Sequence, residues 1–256
     1  IAQQIGYVYG ESILLNNMGI LYSNLGKYER AIATISDSLV LSRQVGNWPN
    51  YSFSLNNIGV AYHAIGDFAH AKQYLQQAIK QKQALNHIWS EAYSWNMLGH
   101  LLLNSQEQEE ALNAYQTAES LQANLSQTPT LVETWAGLAT TFARLDNLAK
   151  AQQYAEQVWE HLQEKSFEGE WEWAGTALHL YEAFGQLDDG RATTVLRQAY
   201  AELQKRAANI ATKASREKFR TLVPENRRII ELYRQLADQN KTAFSEQIVG
   251  TINGRY

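Results

Sequence analysis

The sequence has no cysteine, only 3 prolines in 256 residues and no long apolar run. Without cysteine there is no disulfide framework, no thiolate nucleophile and no cysteine-ligated metal site. No stretch of about 18 uncharged apolar residues occurs, which excludes a transmembrane helix and a membrane partner. The chain opens on Ile1 without a signal-peptide pattern, and together with the missing cysteines this predicts a cytoplasmic protein.

The composition favours a helical protein, and the charge differs between an acidic N-terminal part and a basic C-terminal part. Alanine, leucine, glutamine and glutamate dominate, which favours helix. Residues 1–190 hold 9 Lys and Arg against 20 Asp and Glu, whereas residues 191–256 hold 13 against 6. A basic end raises the possibility of nucleic-acid binding, but interleaved glutamates and the lack of a recognition-helix motif favour a solvated helical cap beside the acidic part. No nucleic-acid partner is expected.

The strongest signal in the sequence is an internal repeat. The segment Leu-Asn-Asn-Met-Gly at 15–19 recurs as Leu-Asn-Asn-Ile-Gly at 55–59, and in looser form at 95–99 and 135–139, a step of 40 residues. An alanine follows each small residue at a constant distance, at Ala31, Ala71, Ala111 and Ala151. Each unit reads as two helices, the first ending near a glycine such as Gly26, with small residues where the helices cross.

These motifs resemble the tetratricopeptide repeat, whose pattern is a large residue, a leucine, a small residue, an aromatic and a later alanine. Trp135, Leu138, Ala139 and Phe142 fit it well, although the period is 40 rather than about 34 residues. The resemblance implies an all-α superhelix, an α-solenoid of about five helix pairs with a C-terminal helical cap. The predicted segments are the end of a truncated preceding repeat (1–10), four units (11–165), a degenerate fifth pair (166–210), capping helices (211–240) and a tail (241–256).

The C-terminal segment carries a second resemblance. Residues 192–227, with Val-Pro-Glu-Asn-Arg at 223–227, are similar to the end of bacterial signal-transduction ATPases with numerous domains and of related cyclases. In those proteins an ATPase module precedes the repeat array. The resemblance implies that the array is the sensor or scaffold of a larger bacterial regulator. Its partners would then be a protein, a peptide or a small-molecule inducer, and other domains of its own chain.

Motifs for chemistry are missing from the sequence. There is no phosphate-binding loop, no Gly-x-Gly-x-x-Gly, no His-Glu-x-x-His and no serine elbow. The sequence therefore predicts no catalytic residue, no metal site and no cofactor. An enzyme with an unfamiliar site is the least favoured alternative.

The expected binding surface is the concave side of the superhelix, which first helices line. Its predicted polar residues are Asn16, Asn17, Asn24, Asn56, Asn57, His63, Asn96, His100 and Asn104. In tetratricopeptide proteins that bind extended peptides, asparagines at the positions of Asn17 and Asn57 hydrogen-bond the ligand backbone. The alternative is that these asparagines bridge adjacent repeats. The functional prediction is a non-catalytic sensor domain, with a pure interaction scaffold as the alternative.

Overall fold

The computed structural model describes residues 2–123, 125, 131–167 and 172–253, with side chains over 6–123, 125, 131–167 and 172–239. This part of the chain contains helices and no strand, which confirms the predicted all-α class. The helices are α1 (Ala2–Asn24), α2 (Tyr28–Val45), α3 (Trp48–Ala64), α4 (Phe68–Ala84), α5 (Ile88–Asn104), α6 (Gln108–Gln122), α7 (Leu131–Arg144), α8 (Leu148–Lys165), α9 (Trp173–Gln186), α10 (Arg191–Ala208), α11 (Lys213–Thr221) and α12 (Pro224–Asn253). Over the described residues, no helix combines the length and apolar content that a bilayer crossing requires.

The helices pack as consecutive antiparallel pairs, from α1–α2 to α9–α10, and α12 covers the last pair. From α1 to α9, each odd-numbered helix contacts the next odd-numbered helix along the array. From α2 to α10, successive even-numbered helices have few or no such contacts within the described residues. The odd helices therefore lie on the inner, concave side of a superhelix, as the resemblance implied.

Both ends of the chain differ from the predicted segments. Residues 2–10 continue directly into α1, where the sequence predicted the end of a separate helix. The reason is local: neither Gly6 nor Gly10 adopts the positive φ that would end a helix there. Residues 241–253 extend α12 and do not form a separate tail, while residues 254–256 lie outside the described part.

Left-handed residues end the inner helix of each unit. Gly26 and Gly66 have φ of 68° and 84°, as the sequence predicted. The third and fourth units place Gln106 and Asp146 there, with φ of 65° and 59°. Side-chain caps begin two outer helices: Asp67 accepts a hydrogen bond from the backbone N–H of His70 at α4, and Asn147 accepts one from that of Lys150 at α8.

Small residues allow the two helices of a unit to cross closely. A Cβ atom added at Gly59 would lie 2.8 Å from Cγ of Leu75 on the partner helix. In the third unit the space beside Gly99 and Gly137 is filled by the ring of Tyr115, which is fully buried. A larger side chain at these glycines would force the helices apart.

A buried lysine lies between the second and third units. Lys82 is 0% exposed, and its Nζ donates to the backbone oxygen of Ser90 (3.0 Å) and to Oγ of Ser94 (2.7 Å). Its Nζ also lies 5.1 Å from the centre of the Phe53 ring. Burial lowers the pKa of Lys82 to about 7, from an ordinary value of 10.5. The equivalent residue one unit later is the buried Gln122, which accepts a hydrogen bond from Thr134.

Replacing Lys82 by glutamine tests the cost of this buried amine. Because its pKa is lower in the folded than in the unfolded chain, the unfolded state holds more protons between about pH 7 and 10.5. The free energy of unfolding should therefore rise with pH in that window. Between pH 7 and 9 the rise should be on the order of 1–2 kcal/mol. Urea denaturation should show this rise in the wild type and in Lys80→Gln, an exposed control on the same helix, but not in Lys82→Gln.

The C-terminal cap reaches back to the first unit. The α11–α12 connection lies against the α1–α2 turn, where a Cβ atom at Gly26 would collide with Cβ of Leu222. Beside this contact, Glu225 lies close enough to Tyr28 that its charge adds to the burial that raises the pKa of Tyr28. The array therefore closes on itself, and the concave face lies inside the closure.

Alanine at Gly26 should be more destabilising than alanine at Gly66. Both glycines have positive φ, so both substitutions carry a similar backbone strain of about 1 kcal/mol. Only Gly26 adds a clash with Leu222, which should cost about 1–3 kcal/mol more. Chemical denaturation measures both losses, and the excess should disappear in a Leu222→Gly background. Equal losses at the two glycines would mean that the end-to-end contact does not form.

Candidate ligand site on the concave face

Two of the predicted asparagines lie between repeats. Oδ1 of Asn16 accepts hydrogen bonds from Nδ2 of Asn57 (3.0 Å) and Oγ of Ser54 (3.3 Å), which join α1 to α3. One unit later, Oδ1 of Asn56 accepts from Oγ of Ser94 (2.6 Å), which joins α3 to α5. Asn16 and Asn56 are buried, and their geometry is that of the bridging alternative.

Asn96 occupies the same repeat position but lacks this bridge. It is 0% exposed, and neither amide atom has a hydrogen-bond partner among the described residues. The reason is a switch in the next helix, because Thr134 stands where Ser94 stands one unit earlier. Its hydroxyl donates to Oε1 of Gln122 (3.0 Å) rather than to the asparagine.

The remaining predicted residues are more accessible. Asn17 and Asn24 are exposed on α1. Asn104 Nδ2 lies 2.9 Å from Nε2 of His63, so the amide donates and α5 is tied to α3. Burial and the nearby His100 lower the pKa of His63 to about 4, which keeps its imidazole neutral. The structure therefore brings His63, His100 and Asn104 to one region of the inner face.

His100 is the centre of a buried polar cluster built from four helices. Its Nε2 lies 2.7 Å from Oε1 of Glu133 on α7, and its Nδ1 lies 2.7 Å from Nε2 of His179 on α9. The hydroxyl of Tyr115, on α6, lies 2.9 Å from the same Nδ1. A neutral His100 that donates from Nε2 to the carboxylate keeps Nδ1 as an acceptor for these two donors.

The same cluster includes Glu172, at the start of α9. Burial, together with the nearby Glu133 and Glu225, raises the pKa of Glu172 to about 8. Burial also lowers the pKa of His100 to about 4 and that of His179 well below its ordinary value. We refer to His100, Tyr115, Glu133, Glu172 and His179 as the concave cluster. At neutral pH its histidines are uncharged and Glu172 carries a proton.

An ion pair holds the inner helices in register beside the cluster. Nε and Nη2 of Arg144 donate to the two carboxylate oxygens of Glu182, and Nη1 donates to the backbone oxygen of Leu103 (2.8 Å). Because these residues lie on α7, α9 and α5, one guanidinium connects three inner helices. Bidentate pairing of this kind fixes orientation as well as distance.

The imidazole of His100 should stay neutral far below its ordinary range. With a folded-state pKa of about 4 and an unfolded value of 6.5, the unfolded chain binds the extra proton in that window. His100 therefore contributes stability above pH 6.5 that is lost as the pH falls toward 4. NMR titration of the histidine rings, with the signal assigned by its loss in His100→Gln, should show no protonation of His100 at pH 6. A midpoint above pH 6 would contradict the buried arrangement.

Sequence reasoning found His100 but missed its partners. Glu133 stands in a row that is otherwise apolar, after Ile13, Phe53 and Tyr93, so a break in the repeat pattern was visible. His179 was hidden by a change of step, because α7 and α9 begin at residues 131 and 173, or 42 residues apart. With that step, His179 takes the inward position of Asn17 and Asn57. Tyr115 comes from an outer helix and gave no signal.

This arrangement offers hydrogen-bond donors and acceptors. Among the described residues, no group of three or more His, Asp or Glu side chains is arranged to hold a metal ion. The cluster carries carboxyl, imidazole and phenol groups in a buried setting, where polar contacts with a ligand are strong. Such a site suits binding.

Family comparison identifies the repeats. Residues 11–84 match one model of the tetratricopeptide repeat, and residues 92–125 match a second model of the same repeat. The chain therefore contains tetratricopeptide repeats, as the sequence predicted. Among curated proteins, none matches the sequence significantly.

Solved structures share the fold at low sequence identity. A Rap protein complexed with competence and sporulation factor is 15% identical, with a TM-score of 0.60 over 92% of this chain and 66% of that chain. The Rap conjugation gene regulator of plasmid pLS20, in complex with the Phr* peptide, is 12% identical, with a TM-score of 0.62 over 88% and 64%. Repeats named as those of a kinesin light chain from Podosopora anserina are 17% identical, with a TM-score of 0.56 over 77% and 97%. At these identities the likeness shows the fold alone.

Proposed function

We propose that the concave face binds a protein or peptide segment and performs no chemistry of its own. The observation that carries the proposal is the concave cluster, which buries two histidines and two carboxyl groups on the inner helices. Burying titratable groups lowers the stability of the fold. Such groups are nevertheless concentrated at binding and catalytic sites, where they serve a function. Replacing buried ionisable groups by apolar ones of similar volume is often neutral or stabilising, so stability alone does not explain them.

The cluster favours a ligand with a positively charged side chain. Glu133 and Glu225 lie close enough to Glu172 that their negative charges oppose its ionisation. A lysine or arginine side chain of a bound peptide would relieve this repulsion. The Rap structures, which hold competence and sporulation factor or the Phr* peptide, support a peptide ligand for this type of fold.

In its biological setting, we propose that this domain is the sensor part of a larger bacterial signalling regulator. The C-terminal resemblance at residues 223–227 to signal-transduction ATPases supports this role. Occupation of the concave face would then be relayed to other domains through the helices that enclose it. A small-molecule inducer would use the same buried polar groups.

Peptide binding should strengthen as the pH rises from 6 to 8. Glu172 is protonated at neutral pH, and a cationic side chain of the peptide prefers its carboxylate form. Binding therefore releases the proton of Glu172, and the affinity should increase by up to about tenfold for each unit by which the pH rises. The probe is an N-acetylated peptide that contains lysine or arginine, selected from a random library on the full chain. Calorimetric titration measures its affinity at pH 6, 7 and 8.

Matched variants separate the site from the rest of the surface. The pH dependence should be lost in Glu172→Gln and kept in Glu109→Gln, which changes an exposed carboxylate at the start of α6. A melt of each free variant controls for folding. A library that yields no binder, or binders without a basic residue, would contradict the proposal.

A further inference from the structure

A small contact joins the C-terminal cap to the α1–α2 turn. Leu222, between α11 and α12, lies so close to Gly26 that a Cβ atom added at the glycine would collide with it. Even so, Leu222 remains 43% exposed, and no side chain from residue 213 to residue 225 is buried. Contacts with so little buried surface belong to the part of a fold that opens at low cost. We refer to the contact between Leu222 and Gly26 as the latch.

The cap on one side of the latch is firmly anchored. Ile229 of α12 is fully buried in the core that α12 shares with α9 and α10. The rings of Tyr200 and Tyr233 stack with their centres 3.9 Å apart. Nδ2 of Asn226 donates to the backbone oxygen of Phe219 (2.9 Å), which fixes α11 on α12. The cap therefore keeps its place on the last helix pair when the latch opens.

The inner helices around the concave cluster are also tied together. The guanidinium of Arg144 joins α7 to α9 and α5. Oγ1 of Thr140, on α7, donates to the backbone oxygen of His179 on α9 (2.8 Å). His100, on α5, adds its hydrogen bonds to Glu133 and His179. Separating these helices would break several buried hydrogen bonds, whereas opening the latch separates a half-exposed apolar contact.

The latch lies close to the concave cluster. Glu225 follows Leu222 by three residues and begins α12 beside it. Burial raises the pKa of Tyr28, at the start of α2, and the charge of Glu225 adds to this rise. The same charge raises the pKa of His100 and of Glu172, on which burial has the largest effect. One carboxyl group of the cap is therefore within electrostatic reach of both the α1–α2 pair and the cluster.

In this structure the cluster is out of reach of a ligand. The side chains of His100 and Glu133 are only 12% and 3% exposed. A peptide can contact them only after the surrounding elements have moved. We propose that the latch is the point at which the concave face opens, so that Leu222 and Gly26 control access to the cluster. That a peptide uses this opening rests on the proposed function, whereas the opening itself does not.

The solenoid provides the movement. Each unit contacts mainly its neighbours, so small rotations between units add up along the array. When the latch separates, the cap and the α1–α2 turn move apart while each helix pair keeps its own core. A closed latch shields the imidazoles of the cluster, and an open latch exposes them. The reactivity of these imidazoles therefore reports on the latch in the absence of any ligand.

Disulfide trapping holds the latch closed, because the chain has no cysteine of its own. The double variant Gly26→Cys/Leu222→Cys should form an intramolecular disulfide under mild oxidation. Diethyl pyrocarbonate modifies neutral imidazole, and mass spectrometry locates each product. The disulfide should slow the modification of His100 and His179 by about tenfold or more, since the reaction follows the population of the open form, and reduction should restore it. His87, exposed just before α5, should react at the same rate in both forms.

A second variant opens the latch without a cross-link. Leu222→Gly should speed the modification of His100 by about threefold or more, whereas Leu148→Gly, which removes a similarly exposed leucine at the start of α8, should not. Circular dichroism checks that each variant is folded at the temperature used. Equal rates in the oxidised and reduced forms overturn the proposal, as does a wild-type rate in Leu222→Gly or a double variant that forms no disulfide. Because no ligand is present, a library that yields no binding peptide overturns the proposed function and leaves the result for the latch standing.

Discussion

The close crossing of two helices within each unit is the constraint on which the rest of the structure depends. Where Gly59 faces Leu75, a missing side chain on one helix is filled by a large one on its partner. The third unit uses the same space differently. Gly99 and the next unit's Gly137 make room for the Tyr115 ring, whose hydroxyl passes between inner helices to reach His100. The packing rule that builds the solenoid therefore also delivers a polar group to its inner face.

The polar groups inside the array divide into two kinds. Bridges such as Asn16 to Ser54 and Asn56 to Ser94 repeat with the units and align one unit on the next. The concave cluster does not repeat, and burial holds its two histidines and Glu172 in their uncharged forms. The repeating hydrogen bonds stabilise the fold, because every unit must be aligned on its neighbour. The unrepeated groups lie at a single place, which is where we propose that a ligand binds.

Much of the fold could be predicted because each unit carries, in its own sequence, the residues that define its helix pair. Gly26 and the small crossing residues identified the helix pairs, and Pro224 marked the start of the last helix. The candidate site was predicted only in part. Asn16 and Asn56 fit the inward pattern but turn toward the neighbouring helix, because serines there offer hydroxyls. The position of His179 depends on two residues added between α7 and α9, which a fixed step does not show.

The contact between Gly26 and Leu222 has a consequence for how the protein unfolds. A linear stack of repeats has only neighbour contacts, so its end units can fray independently of the middle. Here the first unit is joined to the cap almost two hundred residues later in the chain. Opening either end then requires breaking contacts at both ends, which couples the terminal units into one cooperative segment. The same long-range contact requires most of the chain to be in place before it forms, which makes closure a late event in folding.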